Sequence, residues 1–191
     1  GGKSEEGNVS QNTVTLDNSS VYGDTSLYGG LSFEGNVSDN NVIVKNNSEV
    51  GVDSLYGGYS HFEGTVEKNS IQLEKSTLTE NASLYGGYAG HDAVSNNKVS
   101  LSQMDKSQVA AIYGGYSHGY SKDDFYEAKN NEVNIEATEL TNLEQLYGGY
   151  AYNGNVSGNK VNLKEATITG DNLELAVASG NNSYAKDNAL S

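Results

Sequence analysis

The sequence predicts an all-β fold, a right-handed parallel β-helix (a solenoid) with three short strands in each coil of 28–29 residues and about six and a half coils. Three observations carry that expectation. A Leu/Ile-Tyr-Gly-Gly tetrad starts at Leu27, Leu55, Leu84, Ile112 and Leu146, at separations of 28, 29, 28 and 34 residues. A second motif, Val-x-x-Asn-x-Val-x-Leu, follows each tetrad, and its Asn recurs seven times without a break. The chain also contains no Pro, which suits long ladders in which every N–H is wanted.

Each element follows from alternation of apolar and polar residues, bounded by Gly, Asn and Ser. The tetrad is the first strand, and a degenerate copy at Leu175 replaces Tyr-Gly-Gly by Ala176, Val177 and Ala178. The pairs Val14/Leu16, Val42/Val44, Ile71/Leu73, Val99/Leu101, Val133/Ile135 and Val161/Leu163 mark a second strand with an inward apolar row. A looser position at Val21, Val50, Leu78, Val109, Leu140 and Ile168 marks the third. Asn12, Asn40, Asn69, Asn97, Asn131, Asn159 and Asn188 share the inward parity of the pairs behind them, which predicts an asparagine ladder at a bend. At ~4.8 Å per coil the rod is on the order of 30 Å long, and the crossover preference makes it right-handed. A leucine-rich-repeat solenoid is the alternative, but its convex side commonly carries a helix, and no segment here has a helical apolar stripe.

Composition bounds the partners. The net charge is -14, all eleven basic residues are Lys, and there is no Arg, which argues against nucleic acid and against an anionic membrane surface. The absence of Cys removes disulfides, thiol catalysis and Cys-based zinc sites. No cofactor is expected.

Candidate binding residues fall into two groups. Tyr28, Tyr56, Tyr85, Tyr113 and Tyr147 form one file, and Tyr59, Tyr88, Tyr116 and Tyr150 a second. Simple alternation points the first file outward, where aromatic rings meet sugars or protein, and the second inward, unless the Gly pair hides a bulge that shifts the parity. Equally, stacked tyrosines serve to bind coil to coil. The other group is an insertion near 119–126, where the step from tetrad Tyr to Asn lengthens from 12 or 13 residues to 18. Insertions leave a solenoid as loops, so Tyr120, Asp123, Asp124, Phe125 and Tyr126 are candidate contact residues. His61 and His118 hold equivalent places with His91 one step off register. With Glu63, Asp92, Asp123 and Asp124 they are a weak metal reading, and exposed corner residues are the simpler one. No catalytic residues are assigned, since no carboxylate pair recurs apart from Asp123/Asp124.

The phrase Leu-Tyr-Gly-Gly-Tyr-Ser/Ala followed by Gly-Asn-Val-Ser-x-Asn-x-Val-x-Leu, clearest at 27–44 and 146–163, resembles the passenger repeats of large type V autotransporter adhesins of Gram-negative anaerobes, notably the fusobacterial ones. The resemblance spans essentially the whole chain. It implies that residues 1–191 are one fragment of a longer passenger at the bacterial cell surface, secreted through a C-terminal outer-membrane barrel, a virulence-associated stalk for cell adhesion. The implied partners are a host-cell protein or glycan, or other bacteria. Open strand edges at both ends add an expectation of end-to-end self-association. The alternatives are a β-helix enzyme acting on polysaccharide and an inert spacer.

Overall fold

A computed structural model describes residues 1–119, 125–181 and 185–191, and among these there is no helix. Strands from successive coils pair in parallel and in register, forming three sheets that wind into a β-solenoid of about six coils. The tetrad sheet carries Gly2–Glu6, Ser20–Glu34, Glu49–Glu63, Ala82–Ala89, Ser107–Ser117, Gln145–Asn153 and Glu174–Asn181. A narrow sheet is built of two-residue strands at the leading position of the Asn motif, from Val9–Ser10 to Ala185–Lys186. The third sheet holds the Val/Leu pairs, from Thr13–Asp17 to Ala189–Leu190.

The strands are divided differently from the sequence pattern. The looser apolar position belongs to the tetrad sheet, continuous with the tetrad in the 15-residue strands Ser20–Glu34 and Glu49–Glu63. Val21 pairs with Val50, Val50 with Leu78 and Leu140 with Ile168, as the file requires. Val109 does not stand in it, since it pairs with Ala82. Ser107 takes that place beside Leu140, and its hydroxyl accepts the Leu78 N–H at 3.1 Å. A buried hydroxyl that satisfies a backbone donor does work that a valine cannot do.

Alternation fills the shaft. Val42, Val44, Val50, Leu55, Ile71, Leu73, Leu84, Val99, Leu101 and Ile112 are at most 1% exposed and join one core cluster. A second cluster stacks Val37, Val66, Val94, Ala128 and Val156 against Ala89 and Ala151. On the outer face of the third sheet, registered partners alternate in charge. Asp17 pairs with Lys45 at 3.1 Å, Lys98 with Glu132 at 3.7 Å, and Glu136 with Lys164. These exposed pairs add little stability, but they avoid the like-charge files that exact register would otherwise create.

Two corners in each coil use left-handed backbone. One precedes the ladder Asn, at Gln11, Asp39, Lys68, Asn96, Asn130, Gly158 and Asp187; the other follows the third sheet, at Asn18, Asn46, Lys75, Gln103, Ala137 and Glu165. A left-handed φ puts Cβ against the carbonyl, at a cost of roughly 1–2 kcal/mol for ordinary side chains and less for Asn or Asp. Ala137, at φ 47°, has no side chain able to offset that cost. Ala137→Gly is therefore expected to raise stability by about 0.5–1 kcal/mol, whereas Asn96→Gly leaves it nearly unchanged. Urea midpoints of the two variants check this, and equal shifts would contradict it.

Candidate functional site

The tyrosine face is the most distinctive surface of the rod, and its form depends on glycine. A Cβ on Gly57 would lie 2.4 Å from the Gly86 carbonyl oxygen and 2.9 Å from the backbone nitrogen of Ser70 in the facing sheet. A Cβ on Gly58 would lie 2.4 Å from Cγ of the ladder residue Asn69. Both glycines of the pair therefore face inward, and the strand parity shifts by one. Leu55 points into the core, Tyr56 out, Gly57 and Gly58 in, Tyr59 out and Ser60 in. The second tyrosine file is thus outward, which corrects the simple alternation.

The two files form one ring lattice. Within the first, Tyr28, Tyr56, Tyr85, Tyr113 and Tyr147 stack with centroids 5.0, 4.9, 5.1 and 5.4 Å apart and planes within 12°. Within the second, Tyr59, Tyr88, Tyr116 and Tyr150 stack at 4.9, 5.2 and 4.8 Å. Between files the rings meet edge to face at 4.9–6.2 Å, as Tyr56 meets Tyr59 and Tyr113 meets Tyr150. Offset stacking within files and edge contacts between them satisfy the ring quadrupoles in both directions. Each inner ring of a file already has ring neighbours on both sides, and Tyr113 and Tyr147 are only 5% and 2% exposed. Stacking sugar rings on the first file, one of the expected roles, is closed to its buried members; lateral support between coils is what these rings supply.

A third aromatic file, two residues beyond the second, was not read from the sequence. It holds Phe33, His61, His118 and Tyr152, with Gly90 in the intervening coil and His91 one step along. The mixture of residue types hides it, although the two-residue offset from Tyr59, Tyr116 and Tyr150 was available. Here the histidines meet aromatic groups. His61 Nδ1 lies 2.8 Å from the Tyr59 hydroxyl, and its ring contacts Phe33 and Phe62. His118 Nδ1 lies 3.3 Å from the Tyr116 hydroxyl, and its ring stacks toward Tyr88 and Tyr152. Burial, and then the charge of His91, hold His118 below the ordinary imidazole value of 6.5. Among the described residues, no three His, Asp or Glu side chains gather to hold a metal ion.

Of the insertion candidates, Tyr120, Asp123 and Asp124 lie outside the described residues. Phe125 is 58% exposed, and the Tyr126 N–H donates to the Asn153 carbonyl at 3.1 Å, which returns the chain to the ladder. Phe62 and Tyr152, at 47% and 40% exposure, are further uncovered aromatics.

The asparagines do form a ladder. Asn40 Nδ2 donates to Asn69 Oδ1 at 3.0 Å, Asn69 to Asn97 at 3.1 Å, Asn97 to Asn131 at 3.1 Å and Asn131 to Asn159 at 3.0 Å. Asn12 and Asn188 complete it at the two ends, at 2.9 and 3.1 Å.

Comparison with known proteins adds no relative. No family model, no curated protein and no solved structure matches this chain.

Burial is the first cause that raises the phenols of Tyr56, Tyr85, Tyr113, Tyr147 and Tyr150 above their ordinary value of 10.0, helped at Tyr56 and Tyr113 by neighbouring tyrosines and at Tyr147 by a bond to Glu174. The folded state keeps these protons longer than the unfolded chain does. These phenols therefore cost no stability below pH 10, and stability falls as pH rises further, by about 1.4 kcal/mol per pH unit for each of the two most buried rings, Tyr113 and Tyr147. The expected result is one cooperative alkaline transition in which phenolate absorbance and loss of β circular dichroism coincide. Gradual ionisation near pH 10 with the β signal intact would refute it.

Proposed function

We propose that this chain is a stalk segment of a bacterial cell-surface adhesin passenger, of the autotransporter type that its repeats resemble, and that it carries binding surfaces toward host cells or other bacteria. The observation that supports this reading is uninterrupted pairing: the same three sheets and one amide ladder run from the first coil to the last. Such a body holds its length and presents side groups at ~4.8 Å intervals. The acidic, Arg-free exterior suits an extracellular surface that avoids nucleic acid and anionic lipid.

Exposed Phe62, Phe125 and Tyr152 are the groups offered to a partner. The whole chain is to be screened against glycan and host-protein arrays and against bacterial cells, with Phe125→Ser/Tyr152→Ser as the paired variant. Adhesion predicts a bound partner whose affinity drops at least about tenfold in the variant, as loss of aromatic anchors does. No binding by either protein would favour a spacer, and turnover of a polysaccharide would favour an enzyme.

A further inference from the structure

With no Cys, no Trp and a single Met, Met104, that is 3% exposed, tyrosine is the most easily oxidised side chain that this protein presents. Nine tyrosines form one continuous lattice, in which each ring has a neighbour with its centroid about 5 Å away. An oxidised phenol is a strong acid, so a hole settles where its proton has an acceptor. The Tyr113 hydroxyl donates to the amide oxygen of Gln145, which takes no proton near neutral pH. The Tyr147 hydroxyl donates to the Glu174 carboxylate, a base weaker than imidazole by roughly 2 pK units. Tyr59 and Tyr116 differ, because each faces an imidazole Nδ1, at 2.8 and 3.3 Å. Both imidazoles stand on the half-exposed third file, where they can exchange the proton with water.

We propose that the tyrosine face is a hole relay that gathers one-electron oxidising equivalents onto two phenol–imidazole pairs, Tyr59–His61 and Tyr116–His118. A soluble one-electron oxidant takes an electron from a ring of the lattice, and that ring, as a radical cation, takes an electron from its neighbour. At the trap the O–H bond of Tyr59 breaks: its electron refills the lattice ring and its proton passes to His61 Nδ1. The products are a neutral phenoxyl radical, an imidazolium and a reduced oxidant. Tyr116 and His118 react in the same way. This relay is independent of the adhesive reading.

Only a neutral imidazole accepts the proton, so radical formation requires the neutral form of the ring. Among the described residues, His61 is faced by Phe33, Tyr59 and Phe62, and His118 by Tyr88, Tyr116 and Tyr152 with the charge of His91 nearby. Burial of His118 favours that neutral form.

The test photogenerates tris(bipyridine)ruthenium(III) with persulfate in the presence of the whole chain, traps the radicals with a nitroso compound and maps the adducts by mass spectrometry. Adducts are expected chiefly on Tyr59 and Tyr116, although Tyr22 outside the lattice is 58% exposed. Adducts that simply follow exposure, with Tyr22 foremost, would overturn the relay. His61→Phe/His118→Phe retains rings at both places and is expected to slow radical formation on the order of a hundredfold, the lower range for a positioned proton acceptor, and to move adducts to Tyr22. Tyr59→Phe/Tyr116→Phe should redistribute them likewise. The unaltered chain provides a check that needs no variant: its rate should climb between about pH 5 and 8, where imidazole titrates. A flat profile there rejects the proposal.

Discussion

Asn97→Leu is expected to lower stability by about 4 kcal/mol, although leucine closely matches asparagine in shape. Asn97 Oδ1 accepts both the backbone N–H and the side-chain amide of Asn69, at 3.0 and 3.1 Å. Its Nδ2 donates to the Val66 carbonyl at 2.9 Å and to Asn131 at 3.1 Å. Leucine strands the Asn69 N–H and the Val66 C=O in a site that is fully buried. Each buried orphan costs roughly 1–3 kcal/mol, and the lost amide bonds add to that. Asn97→Asp is the informative companion. Its acceptors suit Asn69, but its second oxygen meets the oxygens of Val66 and Asn131, so it is tolerated only while protonated. Burial raises its folded pKa above the unfolded value of ~3.9. This variant should therefore be most stable below that pH and weaken as pH rises. Denaturant midpoints across pH measure both effects, and a leucine variant within about 1 kcal/mol of the parent would show that the ladder is dispensable.

Gly86→Ala is the second change of large effect. The added Cβ would stand 2.4 Å from the Gly114 carbonyl oxygen of the next coil and 2.9 Å from the Lys98 nitrogen of the facing sheet. Both are backbone atoms held in ladders, so no side-chain rotation relieves the contact. The coil must part from its neighbour, and a loss of at least about 3 kcal/mol is expected. Hydrogen exchange should report it as lost protection centred on the strands Ala82–Ala89 and Ser107–Ser117. Thermal midpoints that match the parent would contradict the close approach.

The same glycines mark the boundary of what the sequence could reveal. Period and core were legible because Val, Ile and Leu recur at fixed offsets, and the asparagines because one residue type fills every copy. The facing of the second tyrosine file was not, because two adjacent inward residues break alternation and only a facing backbone shows why they must be glycine. The left-handed corners were hidden too: Gln11, Asp39, Lys68 and Gly158 share a backbone conformation, but no side-chain chemistry. Ser107 escaped notice because the register of its coil is set by pairing with Leu140, and Val109, two residues on, matched the apolar pattern. Likewise His61 and His118 looked like stray corner residues until Phe33 and Tyr152 stood in the same file.

The order of the coils along the axis has a mechanical consequence. Every coil is bonded only to the one before and the one after, and the chain enters at one end of the stack and leaves at the other. Tension applied to the two ends therefore peels single turns from the stack instead of shearing all of them together. Each released turn of 28–29 residues yields about 95 Å of slack, and the 34-residue turn between Ile112 and Leu146 about 115 Å, so under load this chain should behave as a tether that pays out length in near-equal steps with one longer, visible as a sawtooth in single-molecule pulling.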